Sequence, residues 1–104
     1  MKFVVKLGGA ALEDQTLLHG CAQAIAVLAR DGHQVAVVHG GGVALTRTLK
    51  QMGKKSEFIA GLRITDAETR DAALMVLGGR VNKELVAALG GCGQAGVGLS
   101  GGDG

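Results

Sequence analysis

Val4-Val5-Lys6-Leu7-Gly8-Gly9 and Val37-Val38-His39-Gly40-Gly41-Gly42 are two short apolar runs that each end in glycines before a helix pattern. Glycine lets the backbone turn sharply and present its N–H groups to an anion, and a helix N-terminus behind it adds a favourable dipole. Two such loops, about thirty residues apart, predict neighbouring loops at the carboxyl ends of a parallel sheet, where open α/β sheets bind ligands. We expect the two loops to form one phosphate cradle.

The composition indicates one globular domain. The chain has 104 residues, 47% hydrophobic and 19% charged, which is enough for a buried core. Its 19 glycines are well above the usual share and require loops. A net charge of +2 and two phenylalanines as the only aromatic residues argue against nucleic acid as a partner. No apolar stretch resembles a signal peptide or a membrane span, so we expect a cytoplasmic protein without membrane contact.

The first half of the chain alternates strand and helix patterns. Residues 3–7 and 35–38 are apolar runs bounded by glycine or polar residues, which favours short strands. Residues 13–30 and 43–52 repeat apolar side chains at helical spacing and each end near a glycine. This order predicts a βαβα unit of an α/β fold.

The second half begins with a short extended segment and a helix start. Residues 58–60 before Gly61 are long enough only for an edge strand or one arm of a hairpin. Thr65 and Glu68 have the spacing of a capping box, in which each side chain bonds the other residue's backbone N–H. We therefore expect a helix to begin at Thr65.

The pattern after this start predicts a long helix, a strand and a turn. The apolar stripe of the helix consists of Leu74, Leu77, Val81, Leu85 and Leu89. Gly78-Gly79 within it should destabilise the helix by about 2 kcal/mol relative to alanines, which suggests close packing at that point. Residues 95–99 are predicted to form a further strand, and residues 101–104 a turn.

Lys6 lies where a buried strand ordinarily carries valine or isoleucine. Its spacing allows two interpretations: a buried ammonium that needs an anion, or a half-exposed strand with Lys2, Val4 and Lys6 on its outer face. The glycines that follow favour an anion, because a lysine beside a glycine turn can stabilise a transferring phosphoryl group. Lys6 is therefore the candidate catalytic residue.

Two further side chains are candidates for the site. Arg63, in a glycine-led loop, has a planar guanidinium that suits a carboxylate, although alone it could be a solvated surface arginine. Beside two anion-binding loops, a carboxylate-bearing substrate is the better hypothesis. For His39 we favour a hydrogen bond to a neighbouring loop over a general-base role. Cys21 and Cys92 lack the spacing of a zinc or redox motif, so we expect reduced thiols and no metal site.

The segment Gly96-Val97-Gly98-Leu99-Ser100-Gly101 satisfies the dinucleotide-binding pattern G-x-G-x-x-G. That motif needs a strand before it, a helix after it and an acidic residue about twenty positions further on. Here the glycines fall inside the predicted strand, so we interpret the match as accidental. A nicotinamide-binding domain is therefore the weakest alternative.

Five ordered segments resemble the acetylglutamate kinases of the amino acid kinase family along essentially the whole chain. They are residues 5–9 (VKLGG), 38–42 (VHGGG), 61–66 (GLRITD), 81–85 (VNKEL) and 97–104 (VGLSGGDG). The resemblance implies a three-layer α/β/α sandwich with a mainly parallel sheet, present here in incomplete form. It also implies ATP-dependent phosphorylation of the side-chain carboxylate of N-acetyl-L-glutamate, with Mg²⁺, in arginine biosynthesis by a cytoplasmic homodimer.

The resemblance assigns roles to individual residues. Lys6 would stabilise the phosphoryl group during transfer, Gly8 and Gly9 would approach the ATP phosphates, and acetylglutamate would be held by Gly41, Gly42 and Arg63. The helix around residues 66–89 would form the homodimer interface, which would give the two glycines within it a reason for close packing.

The chain also departs from the family. Members are more than twice as long, and their second half carries the nucleotide pocket, a second catalytic lysine, an aspartate and an asparagine. We therefore expect residues 1–104 to be the N-terminal, substrate-binding part, inactive alone; without the N-terminal helix of arginine-inhibited relatives, arginine inhibition is not expected. Two alternatives stay open: a kinase for a related substrate such as an aminoadipate derivative, and a non-catalytic amino-acid-binding or docking module in which Lys6→Ala leaves function intact.

Overall fold

A pair of parallel strands lies at the centre of the structure. The computed structural model describes residues 1–104, in which β1 (Lys2–Leu7) and β2 (Gln34–His39) pair in parallel. The connection contains α1 (Gly9–Glu13) and α2 (Gln15–Arg30), and β2 leads into α3 (Gly42–Gln51). Because the register aligns Leu7 with His39, both glycine loops leave the same end of the sheet. The predicted βαβα unit is confirmed.

One face of the sheet packs on the helices, and the other is open. Along β1 the side chains alternate, with Leu7 buried and Lys2, Val4 and Lys6 exposed. The single core cluster draws on β1 and on every helical stretch: Leu7, Leu12, Leu18, Ala22, Ile25, Ala44, Leu45, Leu49, Ala72, Val76, Val81, Leu85 and Leu89. The predicted α/β fold class is confirmed in its incomplete form, since no helix covers the outer face of the sheet.

A short helix, α1, precedes the first predicted helix, which forms as α2. Asp14 separates α1 from α2, because its carboxylate accepts hydrogen bonds from the backbone N–H groups of Thr16 (2.8 Å) and Leu17 (3.0 Å). Aspartate is a preferred N-cap residue, so the chain restarts its helix at this point. The five-residue α1 was not predicted from the apolar spacing.

A hairpin with a two-residue turn forms where the sequence predicted either an edge strand or one arm of a hairpin. Strand β3 (Phe58–Ile59) pairs antiparallel with β4 (Leu62–Arg63). Ala60 and Gly61 both have positive φ, 50° and 77°, as the tightest hairpin turns require. The hairpin places Arg63 on its second strand.

The N-cap of the helix after the hairpin is Asp66, not the predicted Thr65. The Asp66 carboxylate accepts from the backbone N–H of Thr69 at 2.9 Å, whereas the Thr65 hydroxyl donates to the carbonyl of Arg63 at 3.0 Å. The predicted capping box is therefore wrong, because two adjacent residues could both cap and the carboxylate does so. Lys54 also donates to Asp66, and these bonds hold the pKa of the Asp66 carboxyl well below its usual range.

This depressed pKa predicts an acid-dependent loss of stability. The contribution of ionised Asp66 is present above the ordinary aspartate pKa of about 3.9 and is lost as pH falls through the lower folded value. We expect Asp66→Asn, which keeps a capping side chain, to lower the urea midpoint at neutral pH and to differ less from wild type in strong acid. Asp71→Asn, an exposed acid on the same helix, is the control. A pH-independent gap between Asp66→Asn and wild type would contradict this assignment.

The long helix, residues 67–91, changes its buried face half-way along. It consists of α4 (Ala67–Ala73), a π-helical segment (Leu74–Val81) and α5 (Asn82–Gly91). Buried positions step by five residues from Val76 to Val81, as in π-helical hydrogen bonding, instead of by three or four. The predicted core residue Leu74 is therefore 65% exposed, which corrects the apolar stripe, and Asn82 joins the buried face.

One further prediction is wrong, and the close packing expected at Gly78-Gly79 is not found within this chain. A Cβ on Gly79 would meet no atom within 4 Å, and one on Gly78 would make only ordinary contacts of 3.8 Å, so the expected close packing is not made within this chain. Residues 95–99 form no strand. A groove of about 740 Å³ separates β2 from the segment 94–101, and side chains rather than a backbone ladder hold that segment. No helix has both the length and the apolar character needed to cross a membrane.

Candidate functional site

The two glycine loops are neighbours, as predicted. The backbone N–H of Gly40 donates to the carbonyl of Leu7 at 3.1 Å, which extends the sheet pairing into the loops. A Cβ on Gly9 would lie 3.8 Å from a methyl of Val43, so the start of α1 lies against the first turn of α3. The structure thus brings Gly8-Gly9 and the loop of residues 40–42 to one end of the sheet.

Gly41 fixes the second loop against the long helix. Its φ is +146°, and a Cβ would lie 2.6 Å from Leu77 Cδ2 and 3.3 Å from Val81 Cγ2. By contrast, a Cβ on Gly40 or Gly42 would meet nothing within 4 Å. No side chain caps α3, so its first backbone N–H groups are free to bind an anion. One side of the loop is packed while the other is open to a ligand.

Lys6 lies on the open face of the sheet. It is exposed, pairs in register with Val38, and forms none of the five ion pairs of the chain. The half-exposed strand with Lys2, Val4 and Lys6 outward is the geometry that forms. Lys6 is nevertheless two residues from Gly8, near the end of the sheet from which both glycine loops leave. Its catalytic role stays a prediction.

Arg63 clamps the hairpin to the first turn of α3. Its guanidinium donates to the carbonyl of Gly42 (3.3 Å), Thr46 Oγ1 (3.0 Å) and Ser56 Oγ (2.7 Å), and stacks 4.7 Å from the centre of the Phe58 ring. Every one of these partners is neutral, so the positive charge is held in place without being compensated. Such a guanidinium is suited to a ligand carboxylate.

A cavity of about 520 Å³ adjoins Arg63. Its lining includes Thr46, Ser56 and Phe58, which hold the guanidinium, and three lysines at positions 50, 54 and 55. Lys54 is engaged by Asp66 and Glu68, and the hydrogen bond to Asp66 raises the Lys54 pKa. The basic lining should attract anions towards Arg63. The sequence analysis did not identify this cavity, although the Lys54-Lys55 pair was a signal for it.

His39 bonds to its own loop and to the long helix, whereas a bond to a neighbouring loop was expected. Its Nδ1 lies 2.8 Å from the carbonyl of Gly40, and its Nε2 lies 3.1 Å from Asn82 Nδ2. Since a carbonyl can only accept, Nδ1 carries the proton and Nε2 accepts from the amide. Sequence reasoning missed Asn82, although a polar residue directly after Val81 of the apolar stripe was a signal.

Comparisons of sequence find a matching family and related proteins. The sequence model of the amino acid kinase family matches residues 1–104. Acetylglutamate kinase of Acidobacterium capsulatum is 77% identical over 104 residues, and that of Koribacter versatilis is 58% identical over 103 residues. The chain spans 40% of the length of each of these relatives.

Solved structures give the same fold. The smu.665 protein of Streptococcus mutans superposes with a TM-score of 0.77 at 28% identity, over 88% of this chain and 37% of that one. N-acetylglutamate synthase from Neisseria gonorrhoeae, complexed with coenzyme A and N-acetyl-glutamate, gives a TM-score of 0.72 at 30% identity, over 88% of this chain and 21% of that one.

Proposed function

The chain belongs to the amino acid kinase family, and we propose that it is the acetylglutamate-binding and phosphate-loop part of an acetylglutamate kinase of arginine biosynthesis. The observation that carries this proposal is the Arg63 guanidinium, held only by neutral groups beside the Gly42 carbonyl. A fixed positive charge next to two glycine loops suits a substrate with two carboxylates. N-acetyl-L-glutamate is such a substrate, and the relatives that match the chain are named for acting on it.

In this proposal the two carboxylates have different partners. The α-carboxylate pairs with Arg63, while the side-chain carboxylate lies against the backbone N–H groups of Gly41 and Gly42. The phosphates of ATP approach Gly8 and Gly9 on the neighbouring loop. Because the loops are joined by the Gly40 to Leu7 hydrogen bond, donor and acceptor would meet at the end of the sheet.

The reaction is a direct transfer. A carboxylate oxygen of acetylglutamate attacks the terminal phosphorus of ATP, the bond from that phosphorus to the bridging oxygen breaks, and ADP leaves with the bond's electrons. Negative charge is spread over the transferring group, where Lys6 and the loop N–H groups stabilise it. Mg²⁺ would arrive with the ATP phosphates and would help to neutralise the charge of the transferring group.

The proposal extends to the state of the protein. We infer that the 104-residue chain alone transfers no phosphoryl group, because it spans only 40% of the relatives it matches. We place it in the cytoplasm, where its two free cysteines stay reduced. A homodimer would form through the long helix, whose Leu74 and Met75 are 65% and 61% exposed beside the open Gly79.

A second candidate function is acetylglutamate binding without phosphoryl transfer. The Neisseria synthase structure, which contains N-acetyl-glutamate, favours it because the synthase shares this fold at 30% identity. In that case Arg63 and the loops would retain their roles while Lys6 would be dispensable. Lys6 therefore discriminates between the two functions.

A chimera tests the proposal. In the chimera, this chain replaces the matching N-terminal 40% of the Acidobacterium enzyme. The assay traps the acyl phosphate product as its hydroxamate. We expect an active chimera, with Lys6→Ala lowering the rate about 100-fold or more. Lys2→Ala, on the same strand and face, is the matched control and should leave the rate unchanged. Equal rates for both variants would contradict the role of Lys6. An inactive chimera that still binds acetylglutamate would favour the binding-only function, and one that binds none would exclude both functions.

A further inference from the structure

We propose that Asn82 is the positioning residue of the Gly40–Gly42 loop. Acting through His39, its side-chain amide fixes the carbonyl of Gly40 and thereby the direction of the Gly41 N–H. The identification of the ligand as acetylglutamate rests on the proposed function. The hydrogen bonds that link Asn82, His39 and Gly40 do not depend on it.

The hydrogen bonds of Asn82 are all in place. The residue is 7% exposed, and its side-chain Nδ2 donates to His39 Nε2 (3.1 Å) and to the carbonyl of Leu99 (3.2 Å). Its Oδ1 accepts from Lys83 Nζ at 3.0 Å. A buried amide that uses both donors and its acceptor has one preferred orientation, since any rotation would leave a buried polar atom unpaired.

The orientation of Asn82 determines that of the imidazole. The amide presents a donor to Nε2, so Nε2 must be the unprotonated nitrogen and Nδ1 must carry the hydrogen. That hydrogen is donated to the Gly40 carbonyl at 2.8 Å. Without the amide, the hydrogen bond to the Gly40 carbonyl alone would favour the Nδ1 proton, so the tautomer would be held by one hydrogen bond instead of two.

The Gly40 carbonyl in turn sets the Gly41 N–H. Both belong to one planar trans peptide group, in which the C=O and the N–H point in opposite directions. With the carbonyl held towards His39, the N–H of Gly41 is directed away from the imidazole. Leu77 and Val81 approach Gly41 so closely that a Cβ would not fit, and the side-chain hydrogen bond to the Gly40 carbonyl comes from His39.

Two features of the chain bring Asn82 to this place. The π-helical segment ends at Val81 and shifts the buried face by one residue, so that Asn82 faces inward beside Val81. Gly98 then allows the segment 94–101 to approach, because a Cβ there would overlap Asn82 Oδ1. Lys83 bridges the same contact by donating to the carbonyl of Gly98 at 3.0 Å. The glycine that matched the dinucleotide pattern thus has a packing role.

The test is the protonation of the His39 ring, read from long-range ¹H–¹⁵N spectra of the whole 104-residue chain at about pH 8.5, above the ordinary imidazole range. In wild type we expect His39 to carry its proton on Nδ1, while the exposed His19 serves as a reference. In Asn82→Leu, of similar volume, we expect a mixture of tautomers and shifted amide signals for residues 40–42. The affinity for N-acetyl-L-glutamate should fall about tenfold, the effect of losing one oriented hydrogen bond.

Leu85→Ala is the control for a merely structural role. Leu85 is buried one turn further along the helix, so its truncation should lower the unfolding midpoint and leave the His39 tautomer unchanged. A wild-type His39 protonated on Nε2 would overturn the proposal without any variant, and so would an unchanged tautomer in a folded Asn82→Leu. If the wild-type chain shows the expected tautomer but binds no acetylglutamate, the positioning role stands and the proposed function of this chain fails.

Discussion

Replacing Gly41 with alanine is expected to destabilise the chain by about 2 to 5 kcal/mol and to abolish measurable binding of acetylglutamate. Two effects add at this position. The φ of +146° is strained for any residue with a side chain, and the new methyl would lie 2.6 Å from Leu77 Cδ2 and 3.3 Å from Val81 Cγ2. Relief requires the loop to move off the helix, which displaces the N–H groups proposed to bind substrate. Urea unfolding and calorimetric titration with N-acetyl-L-glutamate measure both effects.

Gly40→Ala is the matched control for this variant. A Cβ on Gly40 would meet nothing within 4 Å, and its φ is not positive. We expect its stability to remain within about 1 kcal/mol of wild type, as for an ordinary glycine-to-alanine change. Equal stabilities for Gly40→Ala and Gly41→Ala would show that the loop does not pack on Leu77 and Val81 as described.

Replacing Arg63 with methionine is expected to weaken the binding of N-acetyl-L-glutamate about 100-fold. The loss corresponds to removing one partner of a hydrogen-bonded charge pair, which costs about 2 to 5 kcal/mol. Arg63→Lys should recover only part of it, because an ammonium cannot make the two parallel bonds of a guanidinium. Both variants also lose bonds to Thr46 and Ser56, so the hairpin should exchange its amides faster.

A modified ligand separates the role of Arg63 from the loss of hairpin order. When the α-carboxylate is replaced by a carboxamide, wild type should bind far more weakly, and Arg63→Met should bind both ligands about equally. Arg47→Met is the control variant. Arg47 lies on α3, and its guanidinium forms an ion pair with the Glu13 carboxylate at 2.8 Å. If Arg63→Met still prefers the carboxylate as strongly as wild type, Arg63 is not its partner.

The local signals in the sequence predicted much of the fold. The apolar runs that end in glycine predicted β1 and β2, and the three- and four-residue spacing predicted α2 and α3 to within two residues. These elements follow from short-range patterns that tertiary contacts support. The choice between Thr65 and Asp66 as N-cap depended instead on Lys54, twelve residues away, which bonds the Asp66 carboxylate.

Other features depended on contacts that the pattern does not encode. The π-helical segment shifts the helix face after Val76, so a constant period placed Leu74 in the core when it is exposed. Residues 95–99 have the composition of a strand, but the Leu99 carbonyl is used by Asn82 and no backbone ladder forms. Neither the π-helical shift nor the hydrogen bond from Asn82 to the Leu99 carbonyl can be derived from the spacing of side chains along the sequence.

Only part of the candidate site was predictable, because some of its signals are local in sequence and others are not. Glycines that end strands identified both loops, and a guanidinium beside them identified Arg63, because each signal is local. The groups that orient these residues come from distant positions: Thr46 and Ser56 for Arg63, and Asn82 for His39. Only the folded chain brings such partners together.

The most direct measurement is the ¹H–¹⁵N amide spectrum of the chain during titration with N-acetyl-L-glutamate. If the glycine loops and Arg63 form one substrate site, the largest shift changes will fall on Gly8, Gly9, Gly41, Gly42 and Arg63, and they will saturate together. Changes confined to the lysine-lined cavity of residues 50–56, or none at all, would contradict a single acetylglutamate site at the end of the sheet.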